Sequence, residues 1–138
     1  MTTIRRADAV ATPGKAANIA LWTLQVLVAL AFVAAGSGKL LGTADMIALF
    51  QAVGIGQWFR YVTGLLEVLG AVLLLVPGKA ALGAVLLACV MAGAVVAHLT
   101  VLRTAATVPL VLFALTGLIA WGRRSQLTRL IGPRTSAI

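Results

Sequence analysis

Acidic residues are nearly missing from this chain: three Asp and Glu stand against eleven Lys and Arg in 138 residues, a formal charge of +8. Charged side chains of both signs make up only 10%, where soluble domains carry about 25%. With 62% of residues apolar and a mean hydropathy of +1.09, too few polar side chains remain to cover a water-facing surface. A soluble enzyme and a disordered chain are both excluded. Cysteine and histidine occur once each. No intrachain disulfide, Cys–Cys redox pair, Cys/His zinc site or c-type haem attachment can be built, so no metal site is expected. Any redox role needs a bound cofactor or a partner. The basic residues form no stripe interleaved with aromatics, so nucleic acid is not an expected partner. They gather at the chain ends and between apolar runs, as in a membrane protein whose loops meet anionic lipid.

The apolar runs set the fold class: an all-α membrane protein, a four-transmembrane-helix bundle with a short interfacial helix between spans one and two. The spans run over about 16–41, 58–76, 80–102 and 104–121, each near the roughly 20 residues that cross about 30 Å of hydrocarbon. Backbone groups in lipid must be satisfied internally, so the spans are helices. Pro77-Gly78 ends the second, and Pro109 suits the first turn of the fourth, with Thr104 or Thr107 as its N-cap. The membrane domain covers 16–122, between a basic tail over 1–15 and another over 123–138. Arg5–Arg6 before an apolar run also fits a twin-arginine or secretory signal. The run is longer than such signals carry, so a retained first span is expected. The linker from Gly42 to Gln57 reads as a surface helix: Thr43 at the N-cap, Asp45 at the positive end, Met46, Ile47, Phe50 and Val53 on one side, Gly54 at the close.

Four spans put both ends on one side. Arg5, Arg6, Lys15, Lys79, Arg123, Arg124, Arg129 and Arg134 share that side, against Lys39, Arg60 and Arg103 opposite. The orientation rule then places both termini in the cytoplasm of a plasma-membrane protein. Trp58, Phe59 and Tyr61 form an outer aromatic belt, and Trp22 and Trp121 an inner one.

Charge inside a membrane costs about 2.5–3.5 kcal/mol per central residue, so it needs a reason. Glu67 lies roughly 13 Å into span two, counting 1.5 Å per residue. Lys39 closes span one, His98 stands a turn below the outer end of span three, and Arg60 and Arg103 stand at the outer rim. Arg60, Gly64, Glu67 and Ala71 share one face of span two. Gln25, Ala29, Phe32, Gly36 and Lys39 share one face of span one. The two faces are expected to meet, with Lys39 opposite Glu67 and Gly36 and Gly64 leaving room for a neighbouring helix or a ligand. Each residue has a plain structural alternative: Lys39 can snorkel, the arginines can anchor the rim, His98 can be a packing residue. Cys89 reads as a small packing residue.

Ala35-Gly36-Ser37-Gly38-Lys39-Leu40, then Gly64-Leu65-Leu66-Glu67-Val68-Leu69-Gly70, then Ala97-His98 resemble the DoxX-like family of small four-span membrane proteins, over about residues 18–122. The Gly-x-x-Lys close of span one and the Glu of span two match at Gly36, Lys39 and Glu67, and a third-span His matches at His98. The resemblance implies a membrane setting linked to a thiosulfate:quinone oxidoreductase subunit, to oxidative-stress defence and, in distant relatives, to receptor assembly or cargo export.

Two function classes compete. The first is an accessory subunit of a membrane redox system, with no intrinsic cofactor, holding a quinone-like molecule or a lipid in an outer-leaflet pocket around Glu67. Lys39, His98, Arg60, Arg103, Gly36 and Gly64 then complete the site, and other membrane or redox subunits are partners. The second is a non-catalytic assembly or scaffold protein whose Lys39–Glu67 pair fixes helix register. A transporter ranks last, because only Gln25 and Thr116 offer polar groups in the inner half. Membrane lipids are partners in every case, and self-association stays open.

Overall fold

Leu-, Val- and Ala-rich runs broken by Gly-Thr, Gly-Ile-Gly and Pro-Gly dictate where helices start and stop, and the computed structural model follows that punctuation over residues 12–132, the residues it describes. Helix α1 covers Lys15–Leu41, α2 Ala44–Val53, α3 Gln57–Leu75, α4 Ala80–Ala97, α5 Thr107–Gly122 and α6 Arg124–Ile131. A π-helical turn, His98–Leu102, continues α4. No strand occurs among the described residues. Gly42 and Gly54 take left-handed backbone at the ends of α1 and α2, which lets each helix close on a carbonyl four residues back.

Helices α1, α3 and α4 (with its π turn) are long and apolar enough to cross a membrane; α5, at 16 residues, is apolar but shorter. The expected fourth span begins three residues late. Arg103 adopts left-handed backbone, φ 50°, and the Thr104 N–H bonds back to the His98 carbonyl, so 103–106 are used to reverse the chain. Pro109 does fall in the first turn of α5, behind Ala106 rather than a threonine cap. The π turn was not legible in the sequence. Neither was α6, which replaces part of the expected 123–138 tail with a short helix carrying basic and apolar residues. Arg5, Arg6 and Arg134 lie outside the described residues.

The helices pack antiparallel in chain order. Gly36 of α1 crosses Gly64 of α3 so closely that a Cβ on Gly36 would stand 2.9 Å from the Gly64 carbonyl oxygen. Gly83 of α4 presses on the α3 backbone at Gly70, and Gly70 receives Leu87. Helix α5 lies along α4 and meets α1 at Gly122, against Leu21. Phe32, Leu74, Leu87 and Ile119 fill the centre, fully buried. Leu27, Leu30, Leu65, Leu69, Val96 and Leu110 point outward, which suits a hydrocarbon solvent and no other.

Two ends result. The α2 end holds the close of α1, the start of α3 and the π turn. The α6 end holds the start of α1, the α3–α4 turn and the close of α5. Helix α2 seats Phe50 in the bundle, edge-on to Phe59 of α3 with ring centres 5.9 Å apart. Ile47, expected on that buried side, is 40% exposed.

Candidate functional site: a buried ion pair and its supports

Lys39 Nζ donates to Glu67 Oε2 at 2.9 Å, joining α1 to α3. The Glu67 side chain is 2% exposed and that of Lys39 14%. The sequence periodicity brings them together. Gly36 stands one turn before Lys39, Gly64 one turn before Glu67, and with no side chains at the crossing the backbones come near enough for the pair to close.

Arg60, read from sequence as a rim residue, is buried beneath the end of α1. Its Nη1 donates to the Lys39 carbonyl, and its Nε to Gln57 Oε1 at 2.8 Å. The guanidinium lies 4.3 Å from the centre of the Tyr61 ring. A cation under the last carbonyls of a helix satisfies orphan acceptors and complements the helix dipole. Gln57 Nε2 in turn donates to the Ile47 carbonyl at 3.0 Å. One hydrogen-bonded chain therefore runs from α2 through Gln57 and Arg60 to Lys39, whose side chain continues it to Glu67.

His98 and Arg103 do not join this cluster. His98 Nδ1 pairs with Thr104 Oγ1 at 2.8 Å, inside the reversal between α4 and α5. Arg103 is exposed, and its backbone forms the left-handed close of the π turn. The sequence put His98 on the right helix, where its own backbone stays regular, but the π turn that follows brings Thr104 back to its ring, and no 3.6-residue count can foresee that. One surface hollow is lined by Ile47, Phe50, Gln51, Gly54, Gly56 and Gln57, and another by Trp22, Thr23, Val26 and Leu27. Neither is lined by Lys39 or Glu67. Cys89, expected to pack inside, is exposed on α4. No group of three His, Cys, Asp or Glu able to hold a metal occurs among the described residues.

A second polar cluster lies at the α6 end. Gln25, fully buried, donates from Nε2 to the Leu74 carbonyl at 2.7 Å, capping the end of α3. Its Oε1 accepts from Arg123 Nε at 2.8 Å, and Arg123 Nη1 donates to Asn18 Oδ1 at 2.6 Å. Sequence reasoning counted Arg123 as one cation of a basic tail. The signal that could have found it was its place: directly after α5, facing the polar positions Asn18 and Gln25 one heptad apart on α1. Replacing Gln25 by Leu strands the Leu74 carbonyl and the Arg123 Nε donor. The expected loss is about 1–3 kcal/mol for the unsatisfied buried groups. Thermal unfolding in detergent checks it, with Thr23→Val as a near-neutral control because the Thr23 hydroxyl bonds only its own helix on an exposed face.

A model of the DoxX-like family matches residues 23–120. The chain belongs to the DoxX-like family. The matched stretch holds Gly36, Lys39, Gly64, Glu67 and His98, and it ends before Arg123 and α6. This DoxX-like chain thus pairs a family core with a basic helix outside the match. No curated protein and no solved structure matches it significantly.

Proposed function

We propose that this DoxX-like protein is a four-span membrane protein acting as a non-catalytic assembly subunit, with Lys39 and Glu67 holding α1 and α3 in register. One observation carries the reading: the Glu67 side chain is 2% exposed, lies beside the Gly36–Gly64 crossing and is paired with Lys39. A carboxylate that must meet a ligand needs a path to it; one that fixes register needs a partner and a close crossing. The outward apolar face of α5, with Val108, Val111, Phe113 and Leu118 exposed, supports a fourth span. At 1.5 Å per residue α5 reaches about 24 Å, a shortfall that local bilayer thinning accommodates at small cost.

A second reading keeps the redox accessory role and moves the quinone-like ligand to the hollow between Phe50 and Gln57, which lies at the same end as Glu67. Native mass spectrometry of gently extracted protein separates the two. The assembly reading expects a second polypeptide or a second copy without stoichiometric quinone. A quinone retained one per chain, and lost on filling the hollow with Gln51→Trp, selects the ligand reading.

Orientation follows from charge. Lys15, Lys79, Arg123, Arg124 and Arg129 stand at the α6 end, with Arg5, Arg6 and Arg134 adjoining in sequence, so that end faces the cytoplasm of the plasma membrane. In a Cys89→Ser background, Gln51→Cys should label with an impermeant thiol reagent in intact cells, and Ser136→Cys only after permeabilisation. The reverse pattern overturns the topology.

A further inference from the structure

We propose that the α6 end holds an anionic phospholipid, its phosphate on Arg123 and an acyl chain along α1. Arg123 is only 7% exposed, and its Nη2 has no hydrogen-bond partner among the described residues. Its other contacts are to Gln25 and Asn18, two neutral amides that orient the guanidinium without neutralising it. An anion satisfies a guanidinium donor that lacks a partner, and a phosphate oxygen is a matching acceptor for Nη2.

Among the described residues no acidic side chain stands at this end. Asp45 and Glu67, the acids among the described residues, both belong to the α2-end half, and Glu67 is already paired. The same end carries Lys15, Lys79, Arg124 and Arg129. Helix α6 starts at the next residue and is tied across the bundle by Gln126 Oε1, which accepts from the Ala81 N–H at 3.0 Å. Beyond that tie it exposes Leu130 and Ile131 beside Arg129, the composition of a helix lying in an anionic membrane surface.

The apolar half of the ligand has a place too. The Arg123 guanidinium is 5.7 Å from the centre of the Trp22 ring. Trp22 also lines a shallow groove of about 350 Å³ that continues along α1 past Thr23 to Val26 and Leu27. A headgroup at Arg123 stands at the Trp22 end of this groove. Free phosphate uses the guanidinium but not the groove, and a zwitterionic lipid uses the groove but carries no net charge to offset the cation.

The test uses the full chain in a neutral detergent, titrated with phosphatidylglycerol or with phosphatidylcholine of the same acyl chains. Phosphatidylglycerol should raise the unfolding temperature and remain as one adduct per chain in native mass spectrometry, while phosphatidylcholine does neither. Arg123→Gln should weaken phosphatidylglycerol binding about ten-fold or more, the size expected for losing a charge-assisted hydrogen bond, and Arg129→Gln should weaken it far less. If Arg123→Gln does not fold, the comparison of the two lipids on the unaltered chain decides alone. Equal effects of the two lipids overturn the proposal, as does phosphatidylglycerol binding undiminished in Arg123→Gln. Millimolar inorganic phosphate matching phosphatidylglycerol overturns lipid as the source. So does an Asp8→Asn variant that destabilises as Arg123→Gln does while phosphatidylglycerol has no effect, because Asp8 would then be the counter-ion.

Discussion

Glu67→Gln and Lys39→Met should each lower the stability of the detergent-solubilised protein by about 3–5 kcal/mol, the cost of removing one partner from a poorly solvated ion pair. The loss arises mainly from the survivor. With Glu67 neutral, the charge of Lys39, whose side chain is only 14% exposed, has no counter-ion beside it. With Lys39 gone, the Glu67 carboxylate, on a side chain 2% exposed, is left without its partner. Arg60 cannot take over, because its guanidinium is held at the Lys39 carbonyl and Gln57. Thermal unfolding monitored by circular dichroism reads the loss. Unchanged melting in Glu67→Gln would mean that the pair contributes nothing.

Overpacking the glycine crossings is the second large effect. A Cβ at Gly83 would lie 2.7 Å from the Gly70 carbonyl oxygen and 2.9 Å from the Leu74 nitrogen, backbone atoms of α3 that cannot step aside. One at Gly36 would lie 2.8 Å from a Val68 methyl and 2.9 Å from the Gly64 oxygen. Gly83→Val and Gly36→Val should therefore cost about 1–3 kcal/mol or more through forced separation of helices. Gly36→Val should also lengthen the Lys39–Glu67 contact, since the pair closes only while the backbones touch. Gly93→Ala is the control: nothing lies within 4 Å of its Cβ position. Alanine there should be neutral or slightly stabilising. If Gly83→Val and Gly93→Ala melt alike, close helix contact is not what the small residues provide.

What could be read from sequence was whatever depended on helical periodicity and on the cost of charge in lipid. Gly36 with Lys39 and Gly64 with Glu67 each lie one turn apart on an apolar helix, so their faces could be matched before any coordinates existed. Thr43 and Gly54 likewise bracketed α2, although the Thr43 hydroxyl makes no capping bond. The failures fall where the period changes or where partners are far apart in sequence. Periodicity places His98 on α4 correctly, but it does not show that the π turn at 98–102 brings Thr104 back to the imidazole. Arg60 looked like a rim cation because nothing local says that the end of α1 comes down on it. Arg123 meets Gln25 across 98 residues of sequence, a contact that only the closure of α5 onto α1 creates. Helix α6 is short and polar on average, so hydropathy gave it no signal.

Register locking by Lys39 and Glu67 is tested most directly by a double-mutant cycle, with unfolding free energies measured for the unaltered chain, Lys39→Met, Glu67→Gln and the two together. Two residues in contact couple, by about 0.5–3 kcal/mol in typical cycles. The expected result is a double variant that loses clearly less than the sum of the single losses, because removing both charges leaves neither stranded. Strictly additive losses would contradict the account and show that the two side chains act apart.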